Sequence, residues 1–435
     1  MPFSRLSIQW KITLLAGLCL LVIVTLLVAT SLYQARSSAE MVKQSSSQML
    51  EQAAQLRMQA RAEAQALEIQ RYFMDAYQYG KGFSRQVLFL RAQAEKRFLD
   101  AFDVREDMTR QVRTALEGNP DLLGLYVVFE ANALDGKDDL FVGQAELGSN
   151  DKGRFSLYWS QATAGELEAE PLTEEQLADT TAGPSGTPYN AWYTCPRDSK
   201  AACVLDPYFD DVGGKQILMT SIAFPLLLDG KVVGVMGVDI SLDSLQQLSM
   251  QAHKALYEGA GQVSIISPAG LLAGHSNDSK LLGEPLLKAF AEQGSELLDL
   301  VKRGQSAALT HSQMQRLVSP WQPIPDAKPW SVLLEVPNAV LLKPALQLEQ
   351  QLDQQSTADS AKSLVLGLVA VLLGLLLMWL TARGVTRPIL GVAAMLKDIA
   401  SGEGDLTRRL AYAKQDELGE LTGWFNRFLD KLQPI

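Results

Sequence analysis

Residues 216–248 read QILMTSIAFPLLLDGKVVGVMGVDISLDSLQQL. Two β-branched, apolar runs, Gln216 to Leu228 and Lys231 to Ser241, flank Asp229-Gly230, the dipeptide that a tight type I′ hairpin turn demands, so they read as paired antiparallel strands. A helix follows near Ser244 to Glu258. Working backwards, GLYVVFE (Gly124 to Glu130) and FSLYWS (Phe155 to Ser160) are short apolar runs between turn residues and join the same sheet. Working forwards, QVSIISP (Gln262 to Pro268), GLLAGHS (Gly270 to Ser276), SAALTHS (Ser306 to Ser312) and WSVLLEV (Trp330 to Val336) form a second, smaller strand set. Before the first sheet lies a polar, Ala/Gln/Glu-rich stretch from Ser37 to about Asn119, whose apolar positions recur at helical spacing. It is expected to be a long helix with breaks near Gly80 and Gly82. After the second sheet a helix runs from Asn338 to about Gln355.

Outside this block the chain changes character. Ile12 to Leu32 is ITLLAGLCLLVIVTLLVATSL and Ser363 to Ala382 is SLVLGLVAVLLGLLLMWLTA, both free of charge. Each reaches the roughly 20 residues that a helix needs to cross a hydrocarbon core. The first is too long for a signal-peptide h-region and no A-x-A site follows it. Leu18, where a small residue is wanted before Cys19, excludes a lipoprotein site. Spans are therefore expected at 12–33 and 362–382. Arg5 and Lys11 precede the first span and Arg383 and Arg387 follow the second, so the positive-inside rule puts both termini in the cytoplasm.

The 435 residues carry 39 Lys plus Arg and 49 Asp plus Glu, a net charge of −10. Residues 1–11 contribute +2 and residues 363–435 contribute +1, which leaves −13 on the outer side of the membrane. Such a balance argues against nucleic acid, whose phosphates require a basic face. The scattered His253, His275 and His311, with Cys19, Cys195 and Cys203, have no zinc spacing, and no cofactor is expected. No D-x-D-x-D-G spacing supports calcium.

A helix leaving one span, two sensor modules in tandem and a helix entering a second span resemble the double Cache (tandem PAS-like) ligand-binding domain of bacterial transmembrane receptors. Asp229 to Leu248 carries that family's strand-turn-strand-helix signature. Arg383 to Leu432 resembles a HAMP linker. Ile389, Val392, Met395, Leu396 and Ile399 form one apolar seam, and Leu418, Leu421, Phe425, Phe428 and Leu432 a second after a Gly-rich connector at Ser401 to Asp405. Pro388 is expected in a first helical turn. The fold class that follows is α+β, a tandem PAS-like (double Cache) sensor with a long N-terminal helix, two transmembrane helices and a helical HAMP linker. Its parts would be a cytoplasmic N-terminus (1–11), a periplasmic sensor (34–361, distal module about 120–245, proximal module about 258–337) and HAMP (383–435) in the bacterial inner membrane. Two amphipathic helices complete a four-helix bundle only as a pair of chains, which implies a homodimer.

In the amino-acid-sensing branch of that family, an Arg two residues before a Trp-Tyr pair grips the ligand carboxylate, and the Asp of a GxDIS strand takes its ammonium group. Trp192-Tyr193 matches the pair, Tyr208 a following Tyr, and Asp239 the Asp. Asn190 stands where the Arg would be, and a neutral amide cannot replace a bidentate guanidinium.

What remains around the gap is acidic and aromatic. Period-2 alternation in LDPYFDD puts Asp206, Tyr208 and Asp210 on one face if the stretch is a strand. A carboxylate before Pro207 can equally close a turn. Tyr158, Trp159, Tyr189 and Trp192 add rings, with one of Tyr158 and Trp159 facing the core. Glu130 and Glu170 could reach in from a strand end and an acidic loop. Carboxylates bond ammonium groups, and each ring face adds about 0.5–2 kcal/mol by cation–π contact. The resemblance is strongest to polyamine- and histamine-sensing chemoreceptors of pseudomonads, which implies a small organic amine as ligand, no catalysis in this chain, and in the whole protein the CheA/CheW signalling array as partner. Cys195 and Cys203 enclose seven residues in an oxidising compartment and are expected to form a disulfide.

Because the sequence stops at Ile435, just beyond the linker, the signalling domain is expected to be missing. The same input half could precede a histidine kinase or a diguanylate cyclase, or serve an amino-acid-sensing chemoreceptor. A capture protein without signalling would have no use for the HAMP-like segment.

Overall fold

The computed structural model describes residues 7–163, 166–401, 406–412 and 415–432. Helix α1 spans Ile8–Arg97 and passes Gly80 and Gly82 without a break. The expected interruption is wrong for a packing reason: a Cβ on Gly80 would collide with the Phe224 ring and with Val238. The glycine therefore brings the helix close to the sheet and does not end it. The chain turns at Phe98, whose φ is +53°, and Asp100 caps α2 (Ala101–Glu117) by accepting from the Phe102 N–H at 2.8 Å, an N-cap of a favoured type.

Among the described residues there are two antiparallel sheets. The first holds β1 (Gly124–Phe129), β2 (Ser156–Thr163), β3 (Glu166–Pro171), β4 (Cys203–Val204), β5 (Tyr208–Val212), β6 (Lys215–Leu228) and β7 (Lys231–Ser241). Its order is β3-β2-β1-β7-β6-β4, with β5 also on β6. Short helices α3 (Glu174–Ala178) and α4 (Ala191–Ser199) lie in the excursion between β3 and β4. The Asp229-Gly230 turn has both φ values positive, +49° and +75°, as the hairpin reading requires. Helix α5 (Leu242–Ala255) leads to the second sheet: β8 (Gln262–Ile266), β9 (Leu272–His275), β10 (Ala307–His311), β11 (Met314–Trp321) and β12 (Trp330–Pro337), in the order β10-β11-β12-β8-β9. Helices α6 (Leu286–Ala289) and α7 (Gly294–Arg303) fall between β9 and β10.

One face of the first sheet packs on α1 and α2. Leu125, Val127, Leu157, Phe224, Met236 and Val238 are buried there with Ile69, Phe73 and Val112. The same core continues under the second sheet, where the fully buried Phe73 ring sits 5.3 Å from both Trp321 and Trp330. Truncating such a ring costs about 3–5 kcal/mol. The opposite face of the first sheet, with Tyr126, Tyr158, Met219 and Ala223, is covered by Trp192, Tyr193 and Leu205.

Residues 50–343 form one compact unit containing both sheets. The other unit joins the chain up to Met49 with the chain from Pro344 on, and holds most of α9 (Lys343–Ala400), which follows α8 (Asn338–Leu341), and α10 (Glu417–Leu432). Both α1 and α9 contain a stretch apolar enough to cross a membrane. Within this unit Lys43 pairs with Glu349 at 2.6 Å and Asp353 at 3.4 Å. Val392, Phe425 and Leu429 are buried together, with Met395 and Ile399 packed against them. Leu396, Leu421 and Phe428 of the expected seams are instead about half exposed. Pro388 lies inside α9, not at a helix start. The connector positions 402–405 lie outside the described residues.

Candidate functional site

Strand register builds the site. Tyr126 of β1 stands opposite Tyr158 of β2 on one side and Gly237 of β7 on the other. Gly124 stands opposite Asp239, and Asp239 opposite Ser221 of β6. Partners in register share a face, and so do positions two apart, so Tyr158, Tyr126, Asp239 and Ser221 all point away from α1. Space for the rings comes from glycines. A Cβ on Gly237 would overlap Tyr126, and one on Gly124 would overlap Tyr158.

Asp239 is 2% exposed. It accepts a hydrogen bond from Ser221 Oγ at 2.5 Å, and Ser221 Oγ lies 2.6 Å from the Tyr208 hydroxyl. Asp210 of β5 accepts from the Tyr189 hydroxyl and from the Asp211 N–H at 2.9 Å. Tyr189 and Tyr208 meet edge to face at 6.3 Å. Glu170 lies opposite Tyr158 in register, at the rim. Among the described residues none of Asp239, Asp210 and Glu170 has a salt-bridge partner.

The electrostatics follow from burial without a counter-charge. Burial pushes the Asp239 carboxyl up to about 7; the Ser221 hydrogen bond works against this and the Asp210 charge adds to it. Burial also raises Asp210, opposed by the Tyr189 hydrogen bond. Glu170 is raised by burial and then by Asp210, Asp211 and Glu168. The Tyr126, Tyr158 and Tyr208 hydroxyls are held far above their ordinary range, first by burial and then by Asp239 and Asp210. The Tyr158 hydroxyl adds a hydrogen bond that also works against the rise at Asp239, and among the described residues the Trp192 Nε1 is buried without a hydrogen-bond partner. Carboxylates gathered beside tyrosine oxygens without a counter-charge suit a guest that brings positive charge and N–H donors.

Helix α4 forms the lid. The Trp192 ring meets Tyr126 edge-on at 5.0 Å, and its carbonyl accepts from the Tyr126 hydroxyl at 2.9 Å. Cys195 and Cys203 are disulfide-bonded, tying α4 to β4. Tyr189, Ala191, Leu205 and Tyr208 also line a cavity of ≈ 150 Å³ beside the acids.

Three expected residues are placed elsewhere. Trp159, next to Tyr158, points to the other face, where it packs against the α1 side and lies 5.6 Å under the Arg113 guanidinium. Asp206 precedes β5 and lines the neighbouring cavity, but its Oδ1 accepts the Ala269 N–H at 3.0 Å. Pro207 interrupts the strand that would have aligned Asp206 with Tyr208. Glu130 accepts from the Tyr193 hydroxyl at 2.6 Å, and Arg154 donates to the same hydroxyl at 3.2 Å, so this pair belongs to its own polar network. Asn190 donates to the Leu177 carbonyl at 2.9 Å. Tyr126, Ser221 and the two glycines were missed, although the alternation in GLYVVFE and the G-x-D of GVDIS carried the signal.

An antiparallel tandem sensor between two apolar helices, followed by a helical linker, defines a membrane-anchored sensor of the PDC/Cache type. Residues 108–247 match the family described as methyl-accepting chemotaxis protein-like, first PDC sensor domain, and residues 380–433 match the HAMP domain. Both matched segments are those of methyl-accepting chemotaxis proteins, and two apolar helices flank the sensor, as in homologous inner-membrane chemoreceptors with a periplasmic sensor. It is 66% identical over 435 residues to the methyl-accepting chemotaxis protein TlpQ of Pseudomonas aeruginosa, an alignment covering 100% of this chain and 61% of TlpQ. The chain thus spans about three-fifths of that relative's length. The fold is shared with the periplasmic sensory domain of the Campylobacter jejuni chemoreceptor Tlp1 (TM-score 0.51, 14% identity, 65% of this chain and 94% of that one). It is shared too with the extracellular domain of the proposed histidine kinase mmHK1S-Z2 (0.53, 19%, 66% and 99%).

Proposed function

We propose that this chain is the sensing and relay portion of a chemoreceptor whose distal module takes a small organic cation, a polyamine, histamine or a related amine. The observation that carries the reading is the cluster of Asp239, Asp210 and Glu170, the first fully buried, the second half-buried and the third at the exposed rim, beside tyrosines and without a basic partner among the described residues. An ammonium group entering there supplies the missing counter-charge, and the desolvated tyrosine and tryptophan faces hold its alkyl or imidazole body. Asp239 and Asp210 take the ammonium groups. Tyr208, Tyr189, Tyr158 and Trp192 enclose them, Tyr193 stiffens the lid, and Glu170 stands at the mouth.

A ligand shifts an equilibrium only by its differential affinity for two states. Binding under α4 favours the closed module, and HAMP in a homodimer would pass the change to the chemotaxis array. Resemblance to TlpQ over the full chain supports this output.

The test is calorimetry of the chain in lipid nanodiscs with putrescine, spermidine, histamine and a set of zwitterionic amino acids. Binding of the amines alone is expected. Tight binding of an amino acid, with none of the amines, overturns the reading.

A further inference from the structure

The second apolar stretch ends at Arg383, and the helix carries on. Arg383 and Arg387 lie one turn apart on α9, and residues four apart share a helix face. With Leu380, Gly391, Leu410 and Tyr412 they line a groove of ≈ 550 Å³. Its far wall is held in place: the Leu410 N–H donates to Asn426 Oδ1 at 2.9 Å, Asn426 Nδ2 donates to the Leu410 carbonyl at 3.0 Å, and the Tyr412 hydroxyl donates to Asp416 at 2.9 Å. Among the described residues neither guanidinium has a carboxylate within salt-bridge distance. The Arg383 guanidinium sits 5.2 Å from the centre of the Trp379 ring, one turn nearer the membrane.

We propose that this groove is a phospholipid site in which Arg383 and Arg387 clasp the phosphate of an anionic lipid of the cytoplasmic leaflet. Four observations converge. The arginines stand where the charge-free run ends, which is the depth of the headgroups. They have no carboxylate partner among the described residues, and a guanidinium fork fits phosphate oxygens two at a time. Trp379 belongs to the aromatic layer that marks a membrane boundary, and its ring orients the Arg383 side chain without using its hydrogen-bond donors. The groove is walled on one side by Leu410, already fixed through Asn426, so little ordering of that wall remains to oppose binding. Basic pockets at the cytoplasmic ends of spans collect anionic headgroups for the same reasons. A lipid held there would set the depth at which α9 leaves the bilayer.

The chain is exchanged into phosphatidylcholine nanodiscs doped with phosphatidylglycerol, and native mass spectrometry counts the phosphatidylglycerol retained per chain. Retention is expected for the wild type. Arg383→Gln with Arg387→Gln should weaken it about thirty-fold, since each basic group at the leaflet surface contributes about fivefold. Each single variant should lie between. Arg427→Gln, which removes the same charge from α10, should retain lipid as the wild type does. Unchanged retention in the double variant, or equal loss in Arg427→Gln, overturns the site. Displacement of the lipid by millimolar inorganic phosphate in detergent would make a free anion the ligand and overturns the lipid assignment.

Discussion

Gly237 of β7 lies directly opposite Tyr126 of β1, and the Tyr126 ring occupies the space that a side chain at 237 would need. The hydroxyl of that ring bonds the Trp192 carbonyl in the lid. A glycine in one strand thus decides how the lid is held from another.

Gly237→Ala should therefore act on lid and core together. Overpacking of this kind costs about 1–3 kcal/mol, and the displaced Tyr126 loses its bond to Trp192. Thermal unfolding should report the lower stability, and amine titration a weaker affinity. An unchanged affinity would show that Tyr126 does not hold the lid.

Asp239 gives a pH signature. Its folded carboxyl is raised to about 7, above the ordinary value near 3.9. The folded state therefore binds the extra proton between these values, and the unliganded sensor loses stability as pH rises from about 4 to 7, by up to about 4 kcal/mol for this group at 1.36 kcal/mol per unit. Asp210 and Glu170 shift in the same direction. Asp239→Asn should flatten the dependence and raise stability at pH 8 while abolishing amine binding. Melting curves at pH 5 and 8 for both forms check this; a variant less stable than wild type at pH 8 contradicts it.

Amine binding should compete with the proton on Asp239. Below pH 6 the affinity is expected to fall by up to about tenfold per pH unit, as for a ligand displacing one proton. Calorimetry near pH 7 in buffers of different ionisation enthalpy should show proton release, and none at pH 9. A binding heat independent of buffer at pH 7 would remove Asp239 from the contact.

Tyr158 and Trp159 are neighbours on opposite faces of β2. Trp159→Phe should leave amine affinity within about twofold, because the ring packs toward α2, while Tyr158→Phe removes a buried hydroxyl beside Asp239 and should weaken binding by about 1–2 kcal/mol. Equal effects in the two titrations would refute the assignment of faces.

Cys195→Ser with Cys203→Ser frees α4 from β4. Closing a loop of this length is worth about 2–3 kcal/mol by the chain-entropy relation. Denaturant unfolding should show a loss of that size, with faster release of bound amine because α4 carries Trp192.

Much of the fold was legible because its signals are local. Asp229-Gly230 announced the central hairpin, and the uncharged runs announced the spans. What escaped depended on partners far away in sequence. Gly80 looked like a helix breaker, yet its role is set by Phe224 and Val238 across the core. Pro388 looked like a helix start, but α9 runs on through it from Lys343 to Ala400. Strand β11 was overlooked because Met314 to Trp321 alternates weakly and contains Pro320. In the acidic cluster, matching positions pointed to Asp239, Tyr208 and Trp192, and alternation along LDPYFDD pointed to Asp210; the fold brings these four near one another. Face assignment failed where alternation was extended through Pro207 to Asp206, and Tyr126 and Ser221 went unseen because only strand register brings them to the acids.

Asp206 and Tyr208 stand on either side of Pro207, whose ring fixes its own φ. Tyr208 reaches toward Asp239 through Ser221, while Asp206 holds the backbone of Ala269 beside the second sheet. The two side chains are thus the arms of one short, stiff lever, and a guest that moved the first arm would shift Asp206 through the covalent chain and reach Ala269 through a single hydrogen bond.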